Sequence, residues 1–286
     1  MTFPDMCGAA YLLDKTTGIT SRKASKTVAE AWGFSKYGHA GTLDPDATGL
    51  LIVLLGKATK LSRFITSSEK RYSFGIEFGV RTDTDDTTGK VLERRPSGHI
   101  KLDDVHGVLK RYTGNIIQKV PSYSAVKVNG VRAYKTARKG LNPDTPIKEV
   151  SVTDWKLMKY ENSKTFLEVT VSSGTYIRAL ARDIGRDLDA GGAAFAIRRL
   201  SIGRFDIERA SSEPDNPESL LEMTDLLNAY ESVTLSDSDR RLVSHGARIE
   251  STLTGTVVLL DEQGRLVAMS DGDGSSLKPF CVFVAD

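Results

Sequence analysis

The chain is predicted to adopt an α+β fold, and three features of its pattern carry that expectation. Strand-like and helix-like segments mix up to residue 210 without the strict βαβ alternation of a doubly wound sheet. A polar break with two prolines, SSEPDNPES at 211–219, has the composition of a linker or surface loop. Beyond it, TGTVVLLDEQGRLVAMSDGDG alternates apolar runs around a Gln-Gly turn, as a small β-rich module does.

Each element has its own local reason. YLLDK opens the chain as a strand, and SRKASKTVAEAWG follows as a helix ended by glycine. LLIVLLG is continuously apolar and rich in β-branched residues and leucine, which marks a strand buried on both faces. RYSFGIEFGV and the alternating TFLEVTVSS read as further strands, with the helix LDDVHGVLKRYTG between them. In YIRALARDIGRDLDAGG, Ile177, Leu180, Ala181, Ile184 and Leu188 recur at helical spacing before a glycine stop. A last strand is expected near GRFDIE. After the break, a short helix is predicted over Leu220 to Tyr230 and a capped helix in LSDSDRRLVSHGARI ending at Gly246, followed by strands through LKPFCVFVAD. The expected division is residues 1–210, an acidic linker with a short helix at 211–230, and a small module at 231–286.

Composition narrows the class. With 286 residues, 40% hydrophobic and 27% charged, the chain can bury one full core and a second small domain. No run of eighteen apolar residues occurs, and MTFPDMCGAAYLLDK lacks a basic stretch followed by an apolar core, so the expectation is a cytoplasmic protein with no membrane contact. Cys7 and Cys281 show no CxxC spacing, hence no disulfide framework and no zinc signature. The net charge of +2 hides an asymmetry: residues 211–239 hold eight acids and no Lys or Arg, so removing them leaves +10 elsewhere. Such an excess suits a polyanion, with the acidic stretch away from the binding face, and it equally fits a solvated acidic linker on a mildly basic domain.

Four segments carry candidate chemistry. In GHAGTLDPDATGLLIVLLGKATK, residues 38–60, Asp44 sits in a loop shaped by Gly41, Pro45 and Gly49 and anchored by the apolar run behind it. Such a loop can aim a short acid, although an Asp-Pro pair is also an ordinary turn cap. KRYSFGIEFGVRTDTDDTTG, residues 70–89, sets Tyr72 at a strand start and Asp83, Asp85 and Asp86 in a turn. A calcium loop is excluded, since Thr88 and Arg94 stand where glycine and the bidentate acid are required. KVPSYSAVKVNGVRAYKTARKG, residues 119–140, has six Lys or Arg, Lys127 and Arg132 among them, and no acid, with Tyr123 and Tyr134 interleaved. Cations can neutralise phosphates while aromatic faces stack on unpaired bases, and an exposed basic helix with packed tyrosines would look the same. SSGTYIRALARDIG places Tyr176 and Arg178 where a strand meets a helix start, a setting that holds an anion.

Residues 38–60 resemble, nearly position for position, the catalytic motif of the bacterial tRNA pseudouridine-55 synthase family, the TruB family. The other segments are similar to its further motifs, and the resemblance covers residues 11 to about 208. It implies a pseudouridine synthase fold, with a mixed, largely antiparallel central sheet and flanking helices; beyond 230 a weaker likeness suggests a PUA-like module. It implies that Asp44 is the catalytic residue, with Arg178 paired to it and Tyr72 stacked on the target base. It places His39, Asp86, Tyr176 and the apolar Ile197 of AIRRLSIGRF near the nucleotide, and makes Lys15, Lys127, Arg132, Arg198 and Arg199 available to substrate. Two positions depart from the pattern: Thr16 where proline is usual and Ala194 where histidine is common. Both bear on local loop shape and RNA affinity.

The activity so implied is conversion of uridine to pseudouridine in the T-loop of tRNA. A base inside a folded loop must leave its stack to react. Detaching it, rotating it and rejoining it through C5 calls for an ionised carboxylate that attacks or stabilises, with a neighbouring arginine to orient it. No cofactor is expected, because an isomerisation has no net redox change, and the chain lacks P-loop, dinucleotide, G-x-S-x-G and H-E-x-x-H patterns. The expected partner is the T-arm of tRNA, with no metal, no obligate protein partner and a monomeric state. Two other readings stand beside it: a tRNA chaperone using the same basic surface, alone or together with catalysis, and a carboxylate-dependent nucleoside hydrolase.

Overall fold

The computed structural model describes residues 7–283. Residues 1–6, part of the segment in which no signal peptide was read, and the last three residues of LKPFCVFVAD lie outside the described residues. In chain order the elements begin with β1 (Gly8–Lys15), α1 (Ser21–Ala31), β2 (Tyr37–Ala40), β3 (Thr48–Gly56), α2 (Ser62–Thr66) and β4 (Lys70–Phe78). A small hairpin, β5 (Val80–Thr82) and β6 (Val91–Arg94), follows, then α3 (Leu102–Arg111) and β7 (Gly114–Lys119). The basic segment forms a second hairpin, β8 (Lys127–Val128) and β9 (Val131–Arg132), closed by Asn129-Gly130 at positive φ and continued by α4 (Ala133–Ala137). β10 (Ile147–Glu161), β11 (Lys164–Val171), α5 (Ile177–Asp187), β12 (Gly192–Ile202), β13 (Phe205–Asp206) and β14 (Leu220–Leu221) complete the larger part. The remainder is β15 (Glu231–Thr234), α6 (Asp237–Ser244), β16 (Ile249–Glu250), β17 (Thr254–Leu260), β18 (Leu266–Asp273) and β19 (Ser276–Val282).

The central sheet runs β14-β1-β3-β12-β4-β11-β10-β7, with β2 and β13 paired off this path. Its pairs are antiparallel except β12 with β3, so the sheet is mixed and largely antiparallel, as expected. The apolar run of β3 is explained by two-sided burial. Leu51, Val53 and Leu55 join α1 and α5 in one core, while Leu50, Ile52 and Leu54 face a second core on the opposite side. Each such side chain contributes about 1.5–3 kcal/mol on burial. The second core also holds Leu61, Ile65, Leu226, Leu227, Val258, Leu266, Met269 and Phe283, so the C-terminal sheet, ordered β15-β17-β18-β19-β16, packs directly on the back of the central one. Arg63 reinforces that contact, its guanidinium 4.7 Å from the Phe64 ring and 4.6 Å from that of Phe280.

One expectation is corrected here, and one strand forms shorter than its segment. Leu220 to Tyr230 is not an α-helix: Leu220 and Leu221 pair with Tyr11 and Ala10 of β1, and only Thr224–Leu227 coils, as a 3-10 turn. Pairing to the open edge of β1 and burial of Leu221, Met223, Leu226 and Leu227 outweigh local propensity. The strand near GRFDIE is only two residues long, a hairpin return onto β12. The capped helix before Gly246 forms, with the Ser236 hydroxyl accepting from the Asp239 N–H.

Charge is segregated along the sheet. The acidic stretch from Ser211 wraps the β1 edge, where Trp32 Nε1 donates to the Pro214 carbonyl and Tyr11 Oη to that of Glu213. The basic segment leaves from β7, at the opposite edge, with all six of its cations exposed.

Candidate active site

Asp44 lies in the loop between β2 and β3, and the backbone of that loop is held almost residue by residue. Arg199 Nη2 donates to the Gly41 carbonyl at 2.9 Å. The Ser21 hydroxyl, in the first turn of α1, donates to the Leu43 carbonyl at 2.9 Å and accepts from its N–H at 2.8 Å. The Pro45 carbonyl accepts from Lys15 Nζ at 3.0 Å and from the Gly18 N–H at 2.9 Å. Buried Leu43 and Ala47 fasten the loop into the core, leaving the Asp44 side chain 48% exposed between them. Gly49 closes the approach: its φ is +97°, and a Cβ there would lie 2.3 Å from the Arg199 carbonyl oxygen, so β12 can run beside β3 only against glycine.

The Asp44 carboxylate meets Arg178, whose Nε lies 2.9 Å from Oδ2. That guanidinium is 6% exposed and fully engaged: Nη1 donates to the Thr84 carbonyl at 2.6 Å and Nη2 to the Tyr123 carbonyl at 2.9 Å. One rigid fork therefore joins the Asp44 loop, the acidic turn and the stem of the basic segment. Among the described residues, Asp44 Oδ1 has no hydrogen-bond partner, so one oxygen is fixed and the other is available. Arg178 is itself held by its helix start. Gln118, buried at the end of β7, bonds both backbone polar groups of Tyr176: its Oε1 accepts from the N–H at 2.8 Å and its Nε2 donates to the carbonyl at 3.1 Å.

Asp86 also approaches Arg178, Oδ2 lying 3.8 Å from Nε, while its Oδ1 accepts from Thr84 Oγ1, the Thr88 N–H and Thr88 Oγ1 and so shapes the turn. Tyr72 is buried on β4, opposite Arg199 of β12, which in turn pairs with Gly49. The tyrosine and the end of the Asp44 loop are thus two strand spacings apart, about 10 Å. A bulge at Ala196, φ +48°, breaks the β12 register and re-aims Ile197, which packs half-buried on the first core. His39 on β2 has Nε2 3.2 Å from Thr42 Oγ1 and Nδ1 3.5 Å from Ser25 Oγ. Burial, and then the charge of Arg199, push its imidazole pKa down, which favours the neutral ring. Burial raises the Tyr176 hydroxyl.

Lys127 and Arg132 stand opposite each other on the exposed β8–β9 hairpin. Three other cations do not fit the substrate role expected of them. Lys15 is 1% exposed and spends its donors on the carbonyls of Thr16, Ile19 and Pro45. Arg199 is equally buried, with Nε on the Leu50 carbonyl, so neither is available to phosphate. Both are scaffold for the loop. Arg198 has its fork filled by Asp14, at 3.0 and 2.7 Å. Conversely, Ser21 and Gln118 were not anticipated, since a serine in a helix start and a glutamine at a strand end carry no signal of the backbone they will clamp.

The TruB family pseudouridylate synthase model, N-terminal domain, matches residues 29–177. Curated proteins named tRNA pseudouridine synthase B are similar along nearly the whole chain. That of Thermobifida fusca is 38% identical over 290 residues, covering 97% of this chain and 99% of the relative. That of Aquifex aeolicus is 36% identical, covering 94% and 97%. Among solved structures, a Cbf5-Nop10-Gar1 complex chain superposes with a TM-score of 0.73 at 23% identity, over 96% of this chain and 85% of that one. An H/ACA RNP bound to a substrate RNA containing 2′-deoxyuridine gives 0.72 at 21%, over 97% and 85%; both likenesses speak to the fold. With its family model and its relatives in agreement, this chain belongs to the TruB family of pseudouridylate synthases.

Proposed function

We propose that this protein isomerises uridine 55 in the T-loop of tRNA to pseudouridine, with Asp44 as the catalytic carboxylate. The observation that carries the reading is the Asp44–Arg178 pair, a half-exposed carboxylate with one oxygen tied at 2.9 Å and the other open. Isomerisation breaks the N1–C1′ bond, turns the base and forms a C5–C1′ bond, the C5 proton being lost and N1 gaining one. A positioned carboxylate serves this by attack or by stabilising the electron-deficient partner, and the arginine aims it. The target base must first be flipped from the loop; Tyr72, His39, Tyr176 and Ile197 are its proposed surroundings. Lys127 and Arg132 are assigned to tRNA phosphates, and their exposure on the basic edge supports this.

The same reading makes residues 1–210 the catalytic unit, joined by 211–230 to a small module at 231–286. It sets the protein to work as a monomer in the cytoplasm, where its tRNA substrate is found. Among the described residues no helix is long and apolar enough to cross a membrane. Carbodiimide modification and primer extension on an unmodified tRNA transcript treated with the enzyme test the substrate assignment. A single new stop in the T-loop is expected; a stop elsewhere, or none, would overturn it.

A further inference from the structure

A second arginine lies one turn after Arg178 on α5, and its contacts have no place in the reading above. Arg182 Nη1 lies 3.0 Å from Asp85 Oδ2, its Nε and Nη2 grip Asp183 at 2.9 and 3.0 Å, and Nη2 also donates to the Lys119 carbonyl at 3.0 Å. Asp85 sits between Thr84, whose carbonyl is bonded by Arg178, and Asp86, which approaches the same guanidinium. Its φ of +63° is left-handed, and its carbonyl accepts from the Ala194 N–H at 3.0 Å, so the turn is docked on β12 in one conformation. Arg178 and Arg182 therefore hold the same two partners at two points each. They bond the acidic turn at Thr84 and Asp85, and the stem of the basic segment at Tyr123 and Lys119.

We infer that the Asp85–Arg182 pair is a positioning device that sets Arg178, and through it Asp44, relative to the RNA-gripping hairpin. Thr84 supplies the shortest bond Arg178 makes, and its carbonyl is placed by a turn that Asp85 anchors from the next residue. The Asp85 carboxylate is mostly buried, with a cation on it, which a surface turn has no reason to maintain. If the pair is broken, the turn keeps only its Thr84 tie to α5, the Arg178 fork loses the anchor beside it, and the aim of the carboxylate slackens while the basic hairpin remains exposed.

The inference rests on the proposed reaction, so wild-type protein is assayed alongside. Asp85→Asn is the main variant, because asparagine tolerates left-handed φ and keeps the backbone while removing the charge. Its single-turnover rate of pseudouridine formation is expected to fall about tenfold or more, with the tRNA Kd within about threefold of wild type. Combined with Arg178→Lys, the losses should fall short of multiplying, since both act through one guanidinium. Arg182→Gln serves as a second variant with the same expectation. Rates within twofold of wild type in both, losses that multiply, weakened binding with an unchanged rate, or unfolding of both variants would each overturn the positioning role. An inactive wild type would refute the reaction instead.

Discussion

The Asp44 loop and the basic segment at 119–140 lie on either side of Arg178 and are built in opposite ways. Around Asp44, three buried side chains, Lys15, Ser21 and Arg199, give their polar atoms to loop backbone. In the hairpin of Lys127 and Arg132, the cations face solvent and the turn is a bare Asn-Gly. The first arrangement clamps the loop backbone at Gly41, Leu43 and Pro45; the second leaves charge free to meet phosphates. Aim and grip are separate constructions, so mutations should separate them kinetically.

The largest expected effect comes from loosening the rigid side. Ser21→Ala removes one hydroxyl and leaves both polar groups of Leu43 without their partner, beside the catalytic acid. A displacement of about 1 Å at such a site costs on the order of a hundredfold, so kcat should drop by about 30- to 100-fold with KM within twofold. Equal losses in KM would show that the loop serves binding. On the gripping side, Lys127→Ala with Arg132→Ala should raise KM about tenfold and leave kcat within twofold. The slope of log affinity against log salt should shrink by about two. An unchanged slope would remove these residues from the RNA surface.

The smallest effect sharpens the contrast from the scaffold itself. Lys70, at the start of β4, is buried with its ammonium on the carbonyls of Thr66 and Ser68, and burial followed by the charge of Arg199 pushes its pKa from 10.5 down to about 8. Between these values the unfolded chain binds more protons than the folded one, so folding stability gains as pH rises through this window. Below pH 8 both states are protonated and the contribution is constant. The urea midpoint of wild type relative to Lys70→Met should therefore climb between pH 8 and 10; a flat difference would contradict the assignment.

Much of this was legible from local pattern. The run from Leu50 to Leu55 is apolar at every position because both faces of β3 are covered, and α5 shows its spacing because Ile177, Leu180, Ala181 and Ile184 share the face turned to the first core. β12 was hidden by its own function: GAAFAIRRLSI starts with small residues, carries a bulge at Ala196 and buries Arg199, so neither alternation nor hydrophobicity marks it. β10 escaped notice because its outer face is solvent-exposed and Lys-rich. Asp44, Tyr72 and Arg178 were identifiable through motif resemblance, and the structure brings Asp44 and Arg178 into contact. The motifs named Lys15 and Arg199 without their burial, which depends on strands distant in sequence. Ser21 and Gln118 act on backbone groups of residues 22 and 58 positions away, a relation that no local window contains.

Whether Asp44 performs the isomerisation is decided most directly with a tRNA transcript tritiated at uridine C5, because the new glycosidic bond must replace that C5 hydrogen. Wild-type protein should release one equivalent of T-loop tritium per tRNA, while Asp44→Asn should release none and still bind the tRNA. Release by Asp44→Asn at a rate near that of wild type would contradict the account.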